Sequence, residues 1–120
     1  MKSALRFTSA RLPPAELLRL HLLARGLSFV RELQFAKPRR WRADYALPAS
    51  APTVLVEVEG GVWTQGRHVR GKGFEADCEK YNEAALHGFL LIRVTPGHIE
   101  SGKALTWIEQ ALACVAQRRK

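Results

Sequence analysis

Behind Pro13-Pro14, the apolar residues Leu17, Leu18, Leu20, Leu22 and Leu23 crowd a broad stripe, with Glu16 ahead of them and Gly26 after. Proline suits the first helical turn, an acid there complements the helix dipole, and glycine is a natural stop, so the pattern predicts a helix over about residues 14–25. The leucine stripe reads as core. The period then changes. Leu27 to Phe35 and Trp41 to Leu47 carry β-branched or aromatic residues in partial alternation, separated by the turn-like basic segment Ala36-Lys37-Pro38-Arg39-Arg40. Within the second of these strands, Trp41 and Tyr45 are expected on one face and Arg42 and Asp44 on the other. Pro48 to Pro52 forms a loop, and Thr53 to Glu59 is the clearest strand in the chain. Val54, Val56 and Val58 point to one side of it; Leu55, Glu57 and Glu59 point to the other.

Gly60 to Gly73 reads as a long glycine-rich loop. Phe74 to His87 reads as a helix with Phe74, Cys78, Tyr81 and Ala85 along one side, stopped by Gly88. Phe89 to Thr95 is a short continuous apolar run, the pattern of a strand covered on both faces. Pro96 breaks it, and about Ser101 to Ala116 forms a closing helix through Leu105, Ile108, Leu112 and Val115. The order α, β, β, β, α, β, α predicts an α/β fold, a mixed sheet flanked by helices. Residues 1–120 form one domain, with a core over about 14–97 and an extra C-terminal helix over about 101–116.

Composition narrows the class. A chain of 120 residues with 47 % apolar and 25 % charged positions has the make-up of a globular domain, which excludes disorder of the whole. The formal net charge of +8 favours a polyanionic partner, because each Lys or Arg set against a phosphate releases condensed counterions. Cys78 and Cys114 form no C-x-x-C pair, and His21, His68, His87 and His98 do not join them at zinc spacing. The start of the chain has no continuous apolar run of the secretory kind, and no stretch approaches the roughly 18 apolar residues of a membrane span. The expectation is a cytoplasmic protein with no membrane partner.

Against that basic background the acids stand out. Glu57 and Glu59 share a strand face with Cα atoms about 6.6 Å apart, given a rise of roughly 3.3 Å per residue. Two carboxylates there repel by about 2–3 kcal/mol at an effective dielectric near 20, and burial beside the valine face raises that cost. A divalent cation with a taste for oxygen turns the repulsion into coordination. Asp44 is the third acid. The short link from its strand to the Glu57 strand makes the two antiparallel neighbours, which brings Asp44 toward Glu57. An edge strand with a solvated acidic face, and a local Arg42–Asp44 pair, are the simpler alternatives.

An aspartate at one strand, then Val56-Glu57-Val58-Glu59-Gly60-Gly61, resembles the PD-(D/E)XK nuclease superfamily, and more closely the small relatives of the very-short-patch repair endonuclease. The resemblance runs over about residues 15–97. It takes in Ala15-Glu16 and the leucines behind it, Trp41-Arg42-x-Asp44-Tyr45, and a loop with Trp63 and His68. It continues through Asp77-x-x-Lys80-x-Asn82 to Ile92-Arg93-Val94-Thr95-Pro96. It implies a restriction-endonuclease-like α-β-β-β-α-β core that hydrolyses DNA phosphodiesters with Mg²⁺, Mn²⁺ being able to substitute. By position it implies Asp44 and Glu57 as metal ligands, with Glu59 at a position that is commonly lysine in the family. The tasks of that lysine would then fall to Lys80 or His68.

Other residues carry open roles. Glu16 is either a further metal-binding carboxylate or a favourable first-turn acid. His68 is a candidate general base or a phosphate contact. Lys80 either serves the acids or pairs with Asp77 at i, i+3. Trp63 stacks on a base or packs beneath its loop, and Gln34 is a further residue that could face the cleft. Lys37, Arg39, Arg40 and Arg42, together with Arg67, Arg70 and Lys72, form two basic loops expected to bracket the acids and hold the DNA backbone. Arg93 contacts phosphate or braces the acids. A homodimer is one way for such a protein to cut both strands. A non-catalytic nucleic-acid-binding module on the same fold is the alternative reading.

Overall fold

Pro14 and Gly26 bound the first helix, as their chemistry dictates. In the computed structural model, which describes residues 12–60 and 70–118, α1 runs Pro14–Ala24 with proline in its first turn. Gly26, at φ 71°, closes it: Gly26 N–H bonds Leu23 O and Leu27 N–H bonds Leu22 O, both at 3.0 Å. That paired closure needs a left-handed residue, for which glycine pays no Cβ penalty. Three strands follow: β1 (Val30–Gln34), β2 (Arg42–Leu47) and β3 (Val54–Val58). Then come α2 (Arg70–Leu86), β4 (Leu90–Val94), α3 (Pro96–Glu100) and α4 (Lys103–Arg118). Gly88, at φ 88°, ends α2 with the same two-bond closure, through Gly88 N–H to Ala85 O and Phe89 N–H to Ala84 O.

The sheet order is β1-β2-β3-β4. β1 with β2 and β2 with β3 are antiparallel, while β3 and β4 are parallel, as a helical crossover allows. This is the expected α/β fold with its α-β-β-β-α-β order, a mixed sheet flanked by helices, and a helix at the C-terminal end. Each sheet face has its own core. Leu18 and Leu22 of α1, with Ile99 and Ile108 from α3 and α4, pack on Tyr45, Leu47, Val54, Val56 and Val94. On the other face, Ala84 of α2 meets Phe35, Ala43, Ala46 and Leu55, with Leu33, Trp41, Phe89 and Leu91 at the margin. The buried leucines of α1 are each worth about 2–5 kcal/mol against alanine, so two of them rival the whole net stability of a domain of this kind. Tyr45 fixes the same helix by donating its hydroxyl to Ala15 O at 2.7 Å.

Four local readings of the sequence need correcting. α2 starts at Arg70, so the last residues of the presumed Gly60–Gly73 loop are helical; Gly71 and Gly73 are weak helix formers there, but propensity yields to context. Its stripe is not Phe74-Cys78-Tyr81-Ala85: Phe74 is 68 % exposed, Cys78 and Ala85 are exposed, and Ala84 is the residue buried on the sheet. Trp41 and Tyr45 belong to opposite cores rather than one face. Glu32, at φ 55°, interrupts the alternation of β1, and the pairs Arg31↔Tyr45 and Leu33↔Ala43 put that irregular step opposite Asp44. Finally, Pro96 opens a short helix instead of merely ending a strand. Thr95 Oγ1 accepts from His98 N–H at 3.3 Å and His98 Nδ1 accepts from Thr95 N–H at 3.1 Å, a reciprocal cap ahead of which proline needs no amide. Among the described residues, no helix is long and apolar enough to cross a membrane.

Candidate active site

The β2–β3 register, Tyr45↔Val56, extends to put Asp44 opposite Glu57, just where the paired ladder stops. Asp44 Oδ2 accepts the Val58 N–H at 2.7 Å, so the side chain replaces the main-chain acceptor that the ladder no longer supplies. Across the parallel pairing, Glu57 is the register partner of Arg93 on β4. The Glu57 side chain is 12 % exposed, and Lys80 Nζ, 16 % exposed, comes from α2 to 2.9 Å from its Oε2. Lys80 also donates to Arg42 O at 2.9 Å. Its approach to Glu57 is close but off the ideal hydrogen-bond angle, so Lys80 holds Oε2 mainly by charge.

Burial pushes the Glu57 carboxyl up to about 7; Lys80 pulls it down, and Asp44 and Glu59 push it further up. Against an ordinary value of 4.5, that position means about 3 kcal/mol opposing ionisation with Lys80 already in place. Desolvation therefore beats the single ammonium, and the pocket is short of positive charge. The expected Asp77–Lys80 pairing is not among the ion pairs of the described residues; Lys80 is turned to the sheet instead.

The other two acids have different company. Glu59 Oε2 accepts from Tyr81 OH and from Arg93 Nε, each at 3.0 Å, and the Arg93 guanidinium lies 4.3 Å over the Tyr81 ring. Burial, and next the charge of Glu59, push the Tyr81 phenol up. Glu16 receives Arg19 Nε at 2.8 Å and Arg31 Nη1 at 2.7 Å, which hold its carboxyl below the usual range. Arg31 in turn lies 5.1 Å over the Tyr45 ring. Among the described residues, no three His, Cys, Asp or Glu side chains gather around one ion position. The adjoining carboxylates are Asp44 and Glu57. A desolvated Glu57 carboxylate with one ammonium and an aspartate as neighbours suits a hard cation that takes few protein ligands and keeps water and phosphate as the rest.

Lys37, Arg39 and Arg40 lie exposed in the β1–β2 turn, which the pair Gln34↔Arg42 closes two residues before Asp44. The basic turn and the acids thus share one end of the sheet. Arg39 is partly engaged, with Nη2 3.0 Å from Glu79 Oε1 and its guanidinium 3.8 Å over Trp41. Arg42 contributes its carbonyl to Lys80, while its side chain is exposed and no ion pair to Asp44 forms among the described residues. Half-buried Gln34 sits beside it. Trp63, Arg67 and His68 lie outside the described residues, as do the side chains of Arg70 and Lys72. No family model matches the chain, and no curated protein or solved structure matches it either. The geometry brings in one participant with no motif to mark it, Tyr81, whose hydroxyl and ring both serve the Glu59–Arg93 pair.

Proposed function

We propose that the protein is a metal-dependent endonuclease that hydrolyses DNA phosphodiester bonds. One observation carries the reading: Glu57 is desolvated, opposed by Asp44, and left short of positive charge even with Lys80 at 2.9 Å. A strand carboxylate kept for stability alone has no reason to sit where ionisation is disfavoured. Asp44 and Glu57 would hold Mg²⁺ or Mn²⁺, which supplies Lewis-acid stabilisation of phosphate charge and a water of lowered pKa.

The chain's own groups do the rest. Lys80, pinned by the Arg42 carbonyl, holds an ammonium beside the carboxylate, where it orients the attacking water and offsets charge building on the phosphate oxygens. Asp44 is held in register by the Val58 amide, so its second oxygen is left for the reaction. Lys37, Arg39 and Arg40 attract the sugar-phosphate backbone without reading sequence, and the +8 charge speeds the encounter. Arg67, His68, Arg70 and Lys72 are proposed from the sequence alone to add to the DNA contacts.

Nicking of a supercoiled plasmid in Mg²⁺, Mn²⁺ or EDTA tests the reading. The expected result is metal-dependent nicking, lost in Asp44→Ala and Glu57→Ala and reduced about 100-fold or more in Lys80→Met. DNA binding without nicking in any metal would instead favour a non-catalytic binding module, in which Lys80 and Glu57 merely hold α2 to the sheet.

A further inference from the structure

Arg93 is held by an acid and an aromatic ring that are themselves bonded to each other. Its Nε donates to Glu59 Oε2 at 3.0 Å, its face lies 4.3 Å from the Tyr81 ring, and Tyr81 OH donates to the same Glu59 oxygen at 3.0 Å. Three elements, β3, α2 and β4, thereby fix one guanidinium. Its two Nη groups make no hydrogen bond to the described residues, and the side chain is 47 % exposed. Register places it next to Glu57, at the sheet end that carries the basic turn. A guanidinium anchored through Nε and one face keeps its outer fork for two oxygens of a phosphate.

We propose that Arg93 is a preorganised receptor for a DNA phosphodiester next to the candidate cleavage site, and that Glu59 and Tyr81 are positioning residues for it and not metal ligands. The inference deepens the nuclease reading and rests on it. An arginine in free solution loses much rotamer freedom on gripping a phosphate; here that loss is met in folding, before DNA arrives. Arg93 turns its shorter edge to the protein and leaves the fork open. Glu59 is thus an acid placed beside a DNA-binding surface in order to aim a cation.

The test is anisotropy of a short fluorescein-labelled duplex in EDTA across a salt series, with thermal melting of every variant. Arg93→Ala is expected to bind roughly tenfold more weakly at physiological salt, with a salt slope smaller by about 1. Glu59→Ala is expected to weaken binding similarly, although deleting an acid would by charge alone tighten it. Arg93→Lys, which keeps the charge but not the Nε bond or the stack, also weakens binding. Tyr81→Phe keeps the ring but loses the hydroxyl that steadies Glu59, and is expected to weaken binding, though less than Arg93→Ala does. If Glu59→Ala fails to fold, Arg93→Lys carries the test, because it keeps the charge and loses both the Nε bond and the stack. Tighter binding by Glu59→Ala, Arg93→Lys binding like the parent, or Arg93→Ala indistinguishable from a parent that binds, overturns this inference and leaves the nuclease reading standing. A parent that ignores the duplex at every salt concentration overturns both.

Discussion

Replacing Glu57 by glutamine separates a functional carboxylate from a structural one. Glutamine has the shape of protonated Glu57, and the carboxyl lies at about 7 in the folded chain against 4.5 ordinarily. Between those two values the folded state binds more protons than the unfolded state, so stability falls as pH rises through that window. Below it the carboxyl is protonated in both states and nothing is lost. Above it, near pH 8, the loss is complete at about 3 kcal/mol, from roughly 1.4 kcal/mol per pH unit. Glu57→Gln does not pay this cost. It should match the parent near pH 4 and exceed it by about 3 kcal/mol near pH 8, a melting temperature about 10 °C higher for a domain of this size. The assay is thermal unfolding by circular dichroism of both proteins over that pH series. The difference between them cancels the titrating groups that are not in contact with Glu57. The same variant should have lost plasmid nicking, so stability rises as activity disappears. A variant that melts below its parent near pH 8 refutes the reasoning, because the Lys80–Glu57 contact would then be a stabilising strut.

Asp44 gives a matched pair of outcomes. Asp44→Ala strips the Val58 amide of its acceptor and should cost about 1–3 kcal/mol in urea unfolding, whereas Asp44→Asn keeps an acceptor oxygen, unfolds close to the parent, and still does not nick DNA. Tyr45→Phe, which removes the 2.7 Å bond to Ala15 O, should cost about 1 kcal/mol and leave nicking untouched, since that hydroxyl belongs to the α1 side of the sheet.

The parts of the fold that sequence made legible are those set by local chemistry. Gly26 and Gly88 closed helices where the pattern stopped, and the alternation of Val54, Leu55 and Val56 sorted the two cores correctly. The short link after Leu47 forced β2 and β3 to be antiparallel, which is what brings Asp44 opposite Glu57. What escaped depended on partners far along the chain. Period alone put Phe74, Cys78, Tyr81 and Ala85 along one side, but α2 packs through Ala84 and, of those four, turns Tyr81 to the sheet together with Lys80. Lys80 has Asp77 at an ideal helical spacing, so nothing local tells that Glu57 wins it. Glu59 looked like a ligand because it shares a face with Glu57; the cation that claims it comes from β4, across the crossover. The left-handed step at Glu32 has no glycine to announce it, and the break in β2 between Ala43 and Tyr45, which lies opposite it, sends Trp41 and Tyr45 to different cores.

The central claim is that Asp44 and Glu57 together make a place for a divalent cation. Electron paramagnetic resonance of Mn²⁺ titrated into the protein, with a duplex present, reports it most directly. The account predicts a bound Mn²⁺ population in the parent that persists in Glu59→Gln and disappears in Asp44→Asn and in Glu57→Gln. A parent that leaves all Mn²⁺ free, or a Glu57→Gln protein that binds it as well as the parent does, contradicts the account.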